Sequence, residues 1–135
     1  MPKNTFTFVF FGPQSRRVWF ILLALLFCTI SYLALSPRPP AGLTTGWDKS
    51  NHALAFASLA FCGHWCLSMP RARWLYLPLL LIAYGGAIEL LQLNVPNRSA
   101  EWGDLLADTI GVAIGLVLAA GINKLLQARS VTVVP

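Results

Sequence analysis

Four long apolar runs, separated by short segments rich in Pro, Asn and basic residues, dominate this chain. They cover about residues 18–35, 50–69, 74–94 and 103–126, and the first is broken only by Thr29, Ser31 and Tyr32. A helix of about 20 apolar residues crosses the hydrocarbon of a bilayer, so the pattern predicts an all-α, four-helix transmembrane bundle. The first run is also longer than the core of about 7 to 15 residues typical of a signal peptide. Between the runs, Pro37, Pro39, Pro40, Gly42 and Gly46 predict an irregular first connection, and Pro70 with Arg71 and Arg73 a tight second one. Pro78 falls in the first turns of the third helix, where a missing N–H costs little. Pro96 and Asn97 turn the chain within residues 95–99, and Ser99 is the expected N-cap of the fourth helix.

Composition agrees with this reading. The chain is 56% apolar and 11% charged, against about 45–50% and about 25% in soluble domains. One membrane domain over residues 18–127 is expected, between an N-terminal segment of residues 1–17 and a short tail of residues 128–135, with no soluble catalytic domain. The net charge of +5 arises from scattered basic residues rather than one basic face, which argues against nucleic acid. Lys3, Arg16, Arg17, Arg71, Arg73, Lys124 and Arg129 fall on one side of the predicted topology and Arg38, Lys49 and Arg98 on the other. The positive-inside rule then places both termini in the cytoplasm. Trp47, Trp74 and Trp102 lie at predicted water interfaces, where indole rings are favoured. Cys28, Cys62 and Cys66 fall inside spans and offer no disulfide framework. Cys62 and Cys66 are one helical turn apart, a spacing that can chelate a soft metal but more often packs small side chains. His64 lies off the face of His52 and is read as a packing residue.

The five acids, Asp48, Glu89, Glu101, Asp104 and Asp108, all fall on the exterior half of this topology with Lys49, His52, Gln92 and Arg98. At 100° per residue, Asp104, Asp108, Gly111, Gly115 and Ala119 stay within about 80° on the fourth helix. The stripe is carboxylate at one end and small-xxx-small at the other, the pattern that lets a neighbouring backbone approach. Gly85, Glu89 and Gln92 share a face of the third helix, with Gly86 at its margin, so Gly85 and Gly86 are expected to serve helix packing as Gly111 and Gly115 do, and Asp48 and His52 are one turn apart on the second. An ionised carboxylate deep in a span costs roughly 2.5–3.5 kcal/mol. Glu89 and Asp108 therefore need partners, for which Lys49, His52 and Arg98 are the candidates. Glu101 and Asp104 in a first helical turn are also favoured by the helix dipole.

Taken in order, Asp48-Lys49-x-x-His52, Glu89-x-x-Gln92 and Arg98-x-x-Glu101-x-x-Asp104-x-x-x-Asp108-x-x-Gly111 resemble the VanZ-like family. The likeness covers about residues 47–115. It implies a small bacterial protein of the cytoplasmic (inner) membrane with a cell-envelope role. The name-giving member is associated with resistance to teicoplanin, a glycopeptide that targets cell-wall precursors. One departure stands out: Asp108 occupies a position where the family usually carries Asn.

Three classes of function follow from the residues. A pocket of Lys49, His52 and Arg98 balanced by carboxylates suits the phosphate headgroup of a lipid or lipid-linked wall precursor, with Arg98 as principal contact. Alternatively, His52 with Asp48, Glu89 and Asp104 supplies acid–base groups or a metal site for an intramembrane enzyme. A polar network that only fixes helix register, in a purely structural or interaction protein, is the third. A proton relay is harder to draw, because the cytoplasmic half offers few titratable groups. No phosphate-cradling loop, haem or flavin motif is present, so no cofactor is expected and no metal ligand is assigned.

Overall fold

The computed structural model describes residues 14–40, 42 and 47–131, except the side chains of residues 129–131. Lys3 and most of the N-terminal segment, Gly46, the Arg129 side chain and residues 132–135 lie outside the described set. The described residues form four helices and no strand. These are α1 (Ser15–Leu35), α2 (Asp48–Cys66), α3 (Leu77–Gln92), entered through a π-helical turn over Ala72–Tyr76, and α4 (Trp102–Val131).

Three stretches, Ser15–Leu35, Ala72–Gln92 and Trp102–Ala128, are long and apolar enough to cross a membrane. The second helix is not among them, because Asp48, Lys49, Ser50, Asn51 and His52 fill its first turns. Its position explains how such a sequence is accommodated. α2 packs most extensively on α4 and next on α1, and buries Phe56, Leu59 and Ala60 almost completely. A helix enclosed by protein does not have to be apolar on every face. α1, by contrast, has no fully buried residue and applies a single stripe, Leu23, Leu26, Ile30 and Ala34, to the core.

Along α4 the buried positions are Asp104, Ala107, Asp108, Gly111, Val112, Gly115, Leu116, Ala119 and, two turns on, Leu126, and from Asp104 to Ala119 they form an unbroken i, i+3, i+4, i+7 stripe. Gly111 and Gly115 lie directly on the backbone of α2. A Cβ at Gly111 would collide with the carbonyl of Ala53, and one at Gly115 with that of Ala57. The small-xxx-small face therefore serves contact within the chain. Gly85 is held equally close to Asp108. Gly86 differs from the packing role expected of it: a Cβ there would meet open space, since one residue rotates the position about 100° away from Gly85.

Several element boundaries differ from the sequence reading. α2 ends at Cys66 rather than near residue 69, with the Leu67 and Cys66 carbonyls accepting from Arg73 Nε and Arg16 Nε. Arginines at this end satisfy orphan carbonyls and complement the helix dipole. The third helix begins before Trp74 because Leu77 N–H reaches the Ala72 carbonyl, a π turn. Pro78 has no N–H with which to tighten that turn. α4 starts at Trp102, so Glu101 rather than Ser99 precedes it, and the Glu101 carbonyl accepts from Asp104 N–H at 3.0 Å. Asn97 takes a positive φ of 63° in the preceding turn, as Asn tolerates better than most residues.

Candidate functional site at the polar end of the bundle

The N-terminal turns of α2 and α4 meet the C-terminal turn of α3 at one end of the bundle. α2 contributes Asp48, Lys49 and His52, α3 contributes Glu89 and Gln92, α4 contributes Asp104 and Asp108, and the α3–α4 connection supplies Arg98 and Glu101. Spacings of three and four residues put each pair on one helix face. Gln92, Asp104 and Asp108 are at most 2% exposed.

Specific contacts join these elements. His52 Nδ1 lies 2.9 Å from Asp108 Oδ1, and His52 Nε2 lies 4.0 Å from Glu89 Oε1. The other oxygen of Glu89 accepts from Glu101 N–H at 2.8 Å, tying α3 to the start of α4. Lys49 Nζ donates to Glu101 Oε2 at 2.8 Å and to Asp104 Oδ1 at 3.1 Å, with its terminal methylene over Gly103. One ligand atom from each of Asp48, His52 and Asp104 lies within 4.8 Å of the other two. Of the nine residues singled out in the sequence, seven join this web of close contacts, and Arg98 adds to it through Asp48 at 3.9 Å. Gln92 joins through the cavity described next.

Arg98 and Gln92 also reach the first helix. Arg98 Nε donates to the Ser36 carbonyl at 3.1 Å and Nη2 to that of Leu33 at 2.8 Å, while Gln92 Nε2 donates to Ala34 at 3.0 Å. These donors satisfy carbonyls that the end of α1 leaves without intrahelical partners. Arg98 thus spends two donors on structure, and Nη1 faces Asp48 Oδ1 at 3.9 Å. Beside it opens a cavity of about 480 Å³ between α1, α2 and α3. Asp48, Asn51, His52, Gln92 and Arg98 line one part of it, and Leu26, Ile30, Leu33, Ala55, Phe56 and Ile88 are prominent in the remainder, which is apolar but for Ser58. The size falls within the range of about 300–1,000 Å³ common to small-molecule pockets.

Charge is unevenly distributed over the site. It holds all five carboxylates of the chain against Lys49 and Arg98, an excess of three negative charges if every acid is ionised and His52 is neutral. At the exposed rim, hydrogen bonding by Lys49 holds the Glu101 carboxyl below the ordinary glutamate range, with a smaller contribution from Ser99. Deeper in, Glu89 Oε1, Gln92 Oε1 and Asp108 Oδ2 are buried without a hydrogen-bond partner among the described residues. Such groups cost roughly 1–3 kcal/mol each when nothing satisfies them.

The sequence offered no sign that α1 takes part, because it does so through main-chain carbonyls and an apolar wall. The available hint was general: the end of α1 has orphan acceptors, and Arg98 and Gln92 are the nearby donors. His64, expected to pack, is 1% exposed and meets the rings of Trp65 and Trp74 edge-on at centroid distances of 5.4 and 5.8 Å. Cys62 and Cys66 are buried free thiols.

A family model described as VanZ/LLP1 matches residues 3–124, most of the chain. No curated protein and no solved structure matches it.

Proposed function

The chain belongs to the VanZ/LLP1 family, and from that premise we propose that it binds a lipid or lipid-linked envelope precursor in the cavity beside α1. In this reading it is a multi-pass protein of the bacterial cytoplasmic membrane. Both termini face the cytoplasm, all four helices cross, and the polar end lies in the exterior leaflet. The observation that carries the proposal is the two-part lining of the cavity, polar at His52, Gln92 and Arg98 and apolar along Leu26, Ile30 and Leu33. An amphiphile matches both parts at once: its headgroup meets Arg98 Nη1, the Gln92 amide and His52, and its chain lies along α1. Binding or remodelling such a molecule connects the site to the cell envelope, and a link to glycopeptide resistance would run through a wall precursor as ligand.

Native mass spectrometry of the protein purified in mild detergent tests the proposal. Wild-type protein retains a lipid or lipid-linked adduct, and Ile30→Trp, which fills the cavity without touching the polar residues, loses it. Equal retention by both proteins would contradict this reading.

The His52–Asp108 contact favours a second reading. A carboxylate that fixes one imidazole nitrogen leaves the other free as a general base. Hydrolysis of the retained lipid by wild-type protein, absent in His52→Ala, would favour that reading over binding alone.

A further inference from the structure

We propose that Asp48, His52 and Asp104 form a binding site for a first-row divalent cation such as Mn²⁺ or Zn²⁺, with the buried Glu89 carboxylate facing its imidazole ligand. The starting point is the convergence of these three side chains from two helices, one ligand atom of each lying within 4.8 Å of the other two. Two carboxylates and an imidazole form a mixed oxygen and nitrogen donor set, which suits Mn²⁺ or Zn²⁺ better than ions that take oxygen alone.

An independent observation points the same way. Glu89 is 8% exposed, and its Oε1 has no hydrogen-bond partner among the described residues while standing 4.0 Å from His52 Nε2. A buried carboxylate oxygen aimed at the imidazole nitrogen is left unsatisfied by protein, and its negative charge favours a cation held at that nitrogen. Asp108 holds the other ring nitrogen of His52 at 2.9 Å, which leaves Nε2 to bind. A carboxylate bonded to a ligating histidine is the usual support of such a ligand. The charge count agrees, because a dication offsets most of an excess of three negative charges.

Two cations of the protein stand close by. Lys49 Nζ bonds Asp104 Oδ1, and Arg98 Nη1 is 3.9 Å from Asp48 Oδ1. Each approaches one carboxylate oxygen only, and the Asp48 side chain is 54% exposed. The site shares Asp48 and His52 with the cavity lining, so a bound ion sits beside the headgroup position and is tested in the absence of an amphiphile.

Electron paramagnetic resonance of the full-length protein in lipid-free detergent, titrated with Mn²⁺, tests the proposal. The expected result is one saturable Mn²⁺ per chain, displaced by Zn²⁺, with spin-echo nitrogen modulation from a single imidazole. His52→Ala abolishes the nitrogen modulation, and Asp48→Asn, at an exposed position that the fold tolerates, weakens binding at least about tenfold. Mn²⁺ that keeps the spectrum of the aqueous ion at excess protein would overturn the proposal. So would bound Mn²⁺ without nitrogen modulation in the wild type, or modulation that survives His52→Ala.

Discussion

At the scale of single residues, the interior of the cluster and its rim obey different physics. His52 and Asp108 are both buried and bonded at 2.9 Å, so removing one strands the other in a poorly solvated place. His52→Ala should cost about 3–5 kcal/mol, measured by denaturant unfolding in detergent micelles. Adding Asp108→Ala to it should cost much less than the sum of the two single changes. Asp108→Asn, which restores the residue usual in the family, keeps an acceptor for the imidazole N–H and should be milder than Asp108→Ala. The rim is tested by pH. Glu101 is held below its ordinary range by Lys49, so its contribution to stability is complete above the unfolded-state value and disappears as pH falls through the lower, folded-state value. Wild-type and Glu101→Gln proteins should therefore differ in unfolding midpoint at neutral pH and converge in acid. A gap unchanged by acid would show that the Lys49 pair contributes nothing.

At the scale of helices, small residues set how closely the elements approach. Gly111 and Gly115 rest on α2 backbone, whose carbonyls cannot move aside. Gly111→Ala or Gly115→Ala should each cost about 1–3 kcal/mol through overpacking. Gly86→Ala has open space and should be neutral or slightly stabilising, within about 1 kcal/mol. Unfolding of the three variants under one detergent condition checks the contrast, and equal effects at Gly86 and Gly115 would contradict it. The same contrast shows what could be read from the sequence. Helical period alone put Asp104, Asp108, Gly111 and Gly115 on one buried stripe, because acids and glycines inside apolar helices have few other places to go. It set Gly86 at the margin of the face that carries Gly85, but could not show that a neighbour meets only Gly85. Nor could it show Arg98 reaching Leu33 and Ser36, because main-chain acceptors leave no mark on a side-chain pattern. The π turn before Pro78 and the shortened end of α2 were hidden for a related reason, since backbone hydrogen bonding and arginine capping decide both.

At the scale of the whole molecule, the chain has two unlike ends. Acids, amides and His52 gather where α2 and α4 begin, and Arg16 and Arg73 cap α2 where it finishes. The enclosed second helix joins the two. Its polar first turns are sheltered by three more apolar helices, and a cavity of about 480 Å³ opens beside them against α1. We propose that this cavity receives an amphiphile with its headgroup at His52 and Gln92. Nuclear magnetic resonance of the side chains, during titration with a short-chain phospholipid, is the measurement that decides it. An amphiphile seated there gives saturable shifts of the His52 imidazole and the Gln92 amide, none at His64, and no response in Ile30→Trp. Shifts equal at His52 and His64, or a His52 response that survives Ile30→Trp, would contradict it.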